Sequence, residues 1–459
     1  SPTSRLPSPV SPPPMSTPID RRESVRQLAT GLAAFTIVPR HVLGRGHRPP
    51  SDTLNVACIG VGGMGFNDVK GMAHENIYAL CDVDSRNLEK AALAFPQARR
   101  YSDYRELLAR EGANVDAVTI STPDHSHAPA AMLALKAGKH VYCQKPLART
   151  VGEVRALKDE AARRPRQVTQ MGNQGHAGEG TRQLREIVEA GHIGTVQRVE
   201  FWTNRPIWPQ AINRPTDMHY VPPNLDWNLW LGPAAERPFH PGYAHFNWRG
   251  WWDFGTGAMG DMACHIMDAA FWVLGLQYPA RVIPESTQLF AETAPKMSRI
   301  TYEFPAANGR PAVTLTWRDG SLYPPRPAEY GMDRPWVPDA DGGQLWIGDR
   351  GTLIAGTYGQ EPQLCDPVKQ AALAKAMPPV KYPRTEGVYK EWTSAIRAGT
   401  QPGSNFAGYA GPLTEMIVLG NLAVRSGRVI ELDPATGRLT TTGIPQEWIL
   451  PAYRSGWAL

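Results

Sequence analysis

The chain has 459 residues, 42% hydrophobic and 20% charged, a balance that excludes a disordered polymer and a membrane-embedded bundle and suits two cores plus appendages. Its formal net charge of +5 is concentrated at the start, where residues 1–52 carry seven Arg against Asp20, Glu23 and Asp52. The remainder is nearly neutral, so a basic stripe that tracks phosphates is excluded, and with it nucleic acid as a partner.

Residues 1–18 are rich in Ser and Pro, and Arg21-Arg22 then precede the apolar run Leu28 to Val38. That run is far short of the ~20 residues needed to span a bilayer. The arrangement resembles a twin-arginine (Tat) export signal, which implies a periplasmic or secreted protein. The other reading is an amphipathic arm that packs on a partner subunit of a cytoplasmic protein. Cys58, Cys81, Cys143, Cys264 and Cys365 are odd in number and form no C-x-x-C pair, so they point to buried thiols rather than disulfides or a metal site.

The β-rich run Leu54 to Ile59 feeds Gly60-Val61-Gly62-Gly63-Met64-Gly65, and a helical pattern follows. In that setting Gly60 makes the tight turn, Gly62 lets backbone approach a pyrophosphate, and Gly65 lets helix and strand pack closely. The diphosphate would rest on the helix N-terminus. A second strand, Ile77 to Cys81, ends in Asp82, 17 positions beyond Gly65, where a carboxylate suits the adenosine ribose. Asp82 repels a 2'-phosphate and favours NAD, while Arg86 keeps NADP open. Further strands at residues 115–121 and His140 to Cys143 lead into Thr122-Pro123-Asp124-His125-Ser126-His127 and Gln144-Lys145-Pro146, at the strand ends where such folds bind ligands.

The glycine turn with Asp82, the Thr-Pro-x-x-x-His turn, the Lys-Pro after the fifth strand and a downstream Asp-x-x-x-His together resemble the glucose-fructose oxidoreductase / inositol dehydrogenase family (Gfo/Idh/MocA), over residues from about 54 to 430. The resemblance implies an N-terminal Rossmann domain, 53–165, then a domain built on an open, mostly antiparallel β-sheet, 166–430, and a tail, 431–459. It further implies a nicotinamide cofactor touched by Gly63, Met64, Thr122, Pro123, His127, Gln144 and Lys145 besides the residues above, and a homodimer or homotetramer. One departure stands out. The family has Glu where this chain has Gln144, which can hydrogen-bond but brings no charge.

In the second half, strand Gln167 to Met171 runs into the turn Gly172-Asn173-Gln174-Gly175-His176, whose Asn173, Gln174 and His176 offer the donors and acceptors a polyol needs. Residues 247–268 are the most informative segment. A Gly-rich turn there is followed by a helix from Asp261, with Ile266, Ala269, Ala270, Val273 and Leu274 at helical spacing and Asp261 and His265 on one face. Oxidation of a secondary alcohol requires a base for the hydroxyl proton, and His265 suits that task, with Asp261 orienting it or binding a neighbouring hydroxyl. By the resemblance, Lys145, Asp261 and His265 form the catalytic group. Among the 14 Trp, Trp251 and Trp252 are candidates for stacking on a sugar ring. Alternating runs at residues 299–304, 312–317, 344–347 and 352–355 predict the antiparallel sheet, and 389–397 and 412–425 predict closing helices.

Three functions fit this pattern. The first is an NAD-dependent oxidoreductase acting on a sugar or polyol. The second is a glycosidase or lyase that oxidises, eliminates and re-reduces with a tightly bound NAD, which suits export of a folded, loaded protein. The third is an inactive, nucleotide-loaded sugar-binding protein.

Overall fold

In the computed structural model, which describes residues 53–333, 336 and 339–459, the first sheet consists of short apolar runs, most of them buried on both faces. The leader reading falls on residues 1–52 and lies outside the described residues. Strands β1 (Asn55–Ile59), β2 (Asn76–Cys81), β3 (Arg99–Tyr101), β4 (Ala117–Ile120), β5 (His140–Cys143) and β6 (Thr169–Met171) are parallel, in the order β3-β2-β1-β4-β5-β6. All four residues of β4 are buried, as parallel strands covered by helices require. The covering helices are α1 (Met64–Gly71), α2 (Ser85–Ala94), α3 (Tyr104–Glu111), α4 (His127–Lys136) and α5 (Val151–Arg163). Local signals start them: the side chains of Asp84 and Asp103 cap α2 and α3, and Thr150 with Glu153 forms a capping box on α5. Strand order reverses between β1 and β4, which opens a crevice beyond their carboxyl ends.

A domain boundary after residue 165 falls one strand early. Thr169–Met171 pairs with Val141–Cys143, and that hydrogen-bond ladder makes β6 the outer strand of the first sheet.

Helix α6 (Glu179–Glu189) leads to an eight-stranded sheet in the order β13-β12-β11-β7-β10-β9-β8-β14. Its strands are β7 (Val196–Thr203), β8 (Arg281–Ser286), β9 (Ser298–Phe304), β10 (Val313–Arg318), β11 (Gly342–Gly348), β12 (Thr352–Gly356), β13 (Gln363–Leu364) and β14 (Ile430–Glu431). Every pair is antiparallel except β7 with β10. Helices α7 (Trp227–Leu231), α8 (Gly257–Ile266), α9 (Asp268–Val273), α10 (Pro367–Lys375), α11 (Val388–Ala398), α12 (Gly411–Ser426) and α13 (Gln446–Ile449) complete the described chain.

Helix α12 joins the two halves. Thirteen of its residues from Gly411 to Val424 are buried, and it packs against α5 of the first sheet and against α8 and β8 of the second. The hydrophobic core is continuous from Leu135 and Val154 through Met416 to Ile300 and Trp317. Helix α11 closes the other face of the first sheet, where Trp392 packs in the cluster formed by Val56, Cys58 and Tyr142. The expected single helix from Asp261 is two: it begins at Gly257 and breaks at Met267. The early start is possible because Gly260 lacks a side chain; a Cβ there would lie 1.9 Å from Thr256 Oγ1.

Candidate active site

The glycine turn is built for close approach. Gly60 has φ +77°, and a Cβ on it would stand 2.6 Å from the Ser121 carbonyl oxygen; one on Gly65 would stand 2.1 Å from the Gly60 carbonyl oxygen. Gly63, the residue before α1, offers no side chain to cap it; Gly65 N turns back to Gly62 O at 2.8 Å, and the other N–H groups of the first turn are left to a ligand. Gly65→Ala is expected to cost about 1–3 kcal/mol through the backbone clash. The checking measurement is the dinucleotide content of the purified variant by absorbance; a wild-type content would contradict the packing argument.

Beyond the turn lies a cleft of about 330 Å3 whose wall includes Gly60, Gly62, Gly63, Met64, Asp82, Thr122, Pro123, His127, Gln144 and Lys145. Asp82 is fixed at the end of β2 because its carboxylate accepts from Val61 N (2.9 Å) and Asp84 N (2.8 Å). Burial raises its pKa. Arg86 does not line the cleft; Asp84 holds its guanidinium at 3.0 Å, so the feature that kept NADP open is drawn away. His127 ties two loops together, with Nδ1 2.8 Å from Pro146 O and Nε2 2.8 Å from Thr122 O.

Gln144 is explained by a residue that the sequence did not single out. Buried Asp68, on α1, accepts from Ser121 Oγ (2.6 Å), Tyr389 Oη (2.6 Å) and Gln144 Nε2 (3.0 Å). The amide is thereby oriented so that its oxygen accepts from Lys145 N at 3.3 Å. A glutamate at 144 would set two carboxylates side by side in a buried site. Gln144→Glu is therefore expected to cost about 3 kcal/mol, and the Asp68→Asn/Gln144→Glu double variant to recover most of it. Thermal melting of the three proteins checks this; equal losses in single and double variants would refute it.

Lys145, from the first domain, and Asp261, on α8, meet. Lys145 Nζ donates to Asp261 Oδ1 and to the Asp261 carbonyl, both at 2.9 Å, with both side chains largely buried. The meeting follows from the packing chain: α8 on α12, α12 on α5, and α5 just after the Lys145 loop. Arg249 reaches Asp261 Oδ1 at 2.8 Å, and Arg205 lies 4.0 Å from Oδ2. Burial alone would raise the Asp261 carboxyl, but Arg249 and Lys145 outweigh it and hold it well below the usual carboxylate range. His265 stands one helical turn along. Burial, with Lys145 adding to it, pushes its imidazole down to about 3, so the ring is neutral. Its Nδ1 is buried without a hydrogen-bond partner, and the ring lies edge-on to Tyr358 at 4.9 Å.

Several sequence candidates lie elsewhere. Asn173 and His176 do not face the cleft: Asn173 Nδ2 donates to Asp268 Oδ1 at 3.0 Å, and His176 Nδ1 lies 3.2 Å from both Asp268 oxygens. These side chains satisfy a buried carboxylate that would otherwise be unpaired. Gln174 is half-buried and outside the cleft wall. Trp251 is fully buried, its Nε1 donating to Gly242 O, and Trp252 lines a separate small cavity, so neither offers a face to a sugar in the cleft.

The segment 204–256, between β7 and α8, contributes what sequence reasoning missed. Leu225, Trp227, Trp230, Phe239, Tyr243, Trp248, Trp251 and Phe254 form their own aromatic core. From it Leu225, Leu229, Trp230, His245, Phe246, Trp248 and Arg249 cover the cleft. The cover is fastened to the rim of the first domain by Asn224 Nδ2 to Asp84 Oδ1 (2.9 Å), Ser85 N to Asn224 O (2.9 Å) and His125 N to Phe254 O (3.1 Å). The density of Trp in 227–252 was its one sequence signal. Within the same segment Asp217, His219 and His240 cluster, but Gly242 N donates to His240 Nδ1 at 2.9 Å, which leaves the proton on the Nε2 that faces Asp217.

Residues 54–171 match the family model described as an oxidoreductase family with an NAD-binding Rossmann fold, and residues 179–311 match the model of its C-terminal alpha/beta domain. Together these cover more than half of the chain. The chain belongs to the Gfo/Idh/MocA oxidoreductase family. Among similar curated members is inositol 2-dehydrogenase of Salmonella paratyphi B, 26% identical over 185 residues, 37% of this chain and 54% of that protein. Another is a glycosyl hydrolase family 109 protein of Shewanella pealeana, 35% identical over 137 residues, 27% of this chain and 30% of that protein. The matches thus span about half or less of these Gfo/Idh/MocA relatives. The WlbA dehydrogenase of Bordetella pertussis, solved with NADH, shares the fold with TM-score 0.56 at 16% identity, over 83% of this chain and 99% of that one. Levoglucosan dehydrogenase, also solved with NADH, does so with TM-score 0.56 at 19% identity, over 83% and 99%.

The site suits a dinucleotide. In this Gfo/Idh/MocA chain the uncapped α1 N-terminus, the two glycine approaches and the fixed Asp82 carboxylate provide a diphosphate cradle and a ribose acceptor on one wall.

Proposed function

We propose that the chain is an NAD-dependent oxidoreductase that oxidises a secondary hydroxyl of a sugar, sugar derivative or polyol. The observation that carries the reading is the Lys145 ammonium resting on Asp261 at 2.9 Å, with Lys145 also in the wall of the glycine-turn cleft. Bound along that wall, NAD supplies a hydride acceptor. Lys145 has three N–H bonds and uses two on Asp261, which leaves one to hold the substrate oxygen. Asp261, kept ionised by Arg249 and Lys145, fixes the direction of that ammonium. His265, neutral and one helical turn from Asp261, is the base in this reading; its Nδ1 is buried, so the hydroxyl proton would go to Nε2. The cover formed by residues 204–256 shields one side of the cleft from solvent.

The same cover favours a second reading, in which the cofactor is retained and the oxidised glycoside is cleaved by elimination. Its hydrogen bonds to Asp84, Ser85 and His125 hold it over part of the cleft, an arrangement that would slow exchange of a bound dinucleotide. Near-ultraviolet absorbance of the protein, followed as hexoses, hexosides and inositols are added, separates the readings. Sustained formation of reduced nicotinamide with added NAD supports the dehydrogenase, and cleavage of a chromogenic glycoside without added NAD supports the retained-cofactor enzyme. Sugar binding with no change of absorbance would leave only a binding protein. Export by the Tat route, supported by Arg21-Arg22 before Leu28 to Val38, and assembly as a dimer or tetramer through the open sheet complete the proposal.

A further inference from the structure

A second, small cavity of about 30 Å3, open to solvent on one side, lies between α5, α12 and the segment before α8, walled by Arg149, Thr150, Trp252, Thr256, Asn421 and Arg425 among others. Room of that size holds one small guest. Two guanidinium groups line it. Arg149 donates through one terminal nitrogen to Trp252 O at 2.7 Å, while its Nε is buried with no hydrogen-bond partner. Arg425 makes no hydrogen bond or ion pair among the described residues; its Nε is buried and unpartnered too, and the group lies over Trp448 at 4.6 Å and Trp252 at 5.8 Å.

Nearby carboxylates are committed elsewhere. Glu153 accepts from Tyr453 Oη (2.7 Å), Thr150 Oγ1 (3.0 Å) and the Thr150 and Arg149 backbone (3.0 and 3.2 Å) rather than from the Arg149 guanidinium. Asp253 pairs with Arg237, and neither it nor Glu447 comes within ion-pair distance of Arg425. Two half-buried guanidinium groups face one hole, and Asp253 and Glu447 act on Arg425 only from beyond contact distance, so an anion between the two groups would offset their mutual repulsion and the cost of burying their Nε atoms. Burial pushes the Arg425 guanidinium down to about 10, the direction expected of a cation short of a partner.

We propose that this cavity binds one small monovalent anion of halide size between Arg149 and Arg425. Bound there, the anion braces the active site from behind. Arg149 lies four residues after Lys145, and Thr256 in the cavity wall donates through Oγ1 to Asp124 Oδ2 at 2.6 Å, which in turn lines the cofactor cleft. The inference does not depend on the substrate or on the proposed chemistry.

The test compares melting of the full chain in sodium chloride and in sodium gluconate, an anion too large for the cavity, at equal ionic strength of about 0.1 M. At tenfold the Kd, chloride is expected to raise Tm by about 2 °C. Arg425→Met and Arg149→Met, which keep the apolar stems, are expected to abolish that difference. Crystals soaked in sodium bromide are expected to show an anomalous peak between the two guanidinium groups. Equal melting of the wild type in both salts, a chloride preference kept by both variants, or a bromide map with only water in the cavity would overturn the proposal. Should either variant fail to fold, the wild-type bromide map decides alone.

Discussion

Replacing Lys145 by Met is expected to lower kcat/KM about a thousandfold while the bound dinucleotide stays in place, the scale of losing one preorganised donor at a reacting oxygen. Structural collapse is not expected, because Asp261 keeps Arg249 at 2.8 Å and so is not left as an unpaired buried charge. The substitution has a second signature. Lys145 is one of the causes that depress the His265 imidazole, so its removal moves that pKa upward and the acid limb of the kcat/KM profile moves with it, to higher pH. His265→Asn is expected to cost ~10²–10⁴ in kcat as loss of the general base. The double variant is expected to be little worse than the poorer single one, because the two groups act on the same hydroxyl. Steady-state kinetics over pH 3–9 measures all three; a Lys145→Met enzyme within tenfold of wild type would remove the central residue of the proposal.

Stability is expected to fall by about 3 kcal/mol between pH 7 and pH 5, earlier on the acid side than carboxylate titration alone would give. The His125 and His265 imidazoles are both pushed down to about 3, chiefly by burial. The folded protein therefore keeps these rings neutral while the unfolded chain takes up a proton on each below its ordinary pKa of about 6.5. Folded stability is fully present above that pH and is lost as pH falls, by about 1.4 kcal/mol per unit for each ring. His127 and His140, also lowered by burial, act in the same sense. Asp319 opposes them: burial raises it to about 6, so the folded state takes its proton first and regains stability below that pH. Urea unfolding at several pH values gives the slope, and His265→Gln is expected to flatten it by about one proton. Stability unchanged from pH 7 to 5 would show that these rings are not buried as neutral species.

How far the sequence carried the reading depended on the range of each interaction. The glycine turn and Asp82 were legible because a strand, a turn and a helix start are contiguous, and the steric demand on Gly60 and Gly65 comes from backbone only a few residues away or on the neighbouring strand. Asp261 and His265 were legible as one face of one helix. Asn173 and His176 show the limit. Their turn looked like a substrate contact, yet both side chains belong to Asp268, 95 and 92 residues distant. Trp251 and Trp252 likewise had the right chemistry for a sugar, but aromatic packing buried the first and α12 and α13 enclosed the second.

By itself, then, the sequence determined the two-sheet architecture and the dinucleotide turn, since periodicity and glycine stereochemistry are local properties, and helical spacing with the family resemblance nominated the Lys, Asp and His of the proposal. Only the tertiary structure decided how charge is arranged around them: Arg249 on Asp261, Asp68 as the carboxylate behind Gln144, and the aromatic cover from residues 204–256. Those contacts join segments that no spacing rule connects. Their energies arise from burial and Coulomb attraction, which act between neighbours in space whatever their separation along the chain.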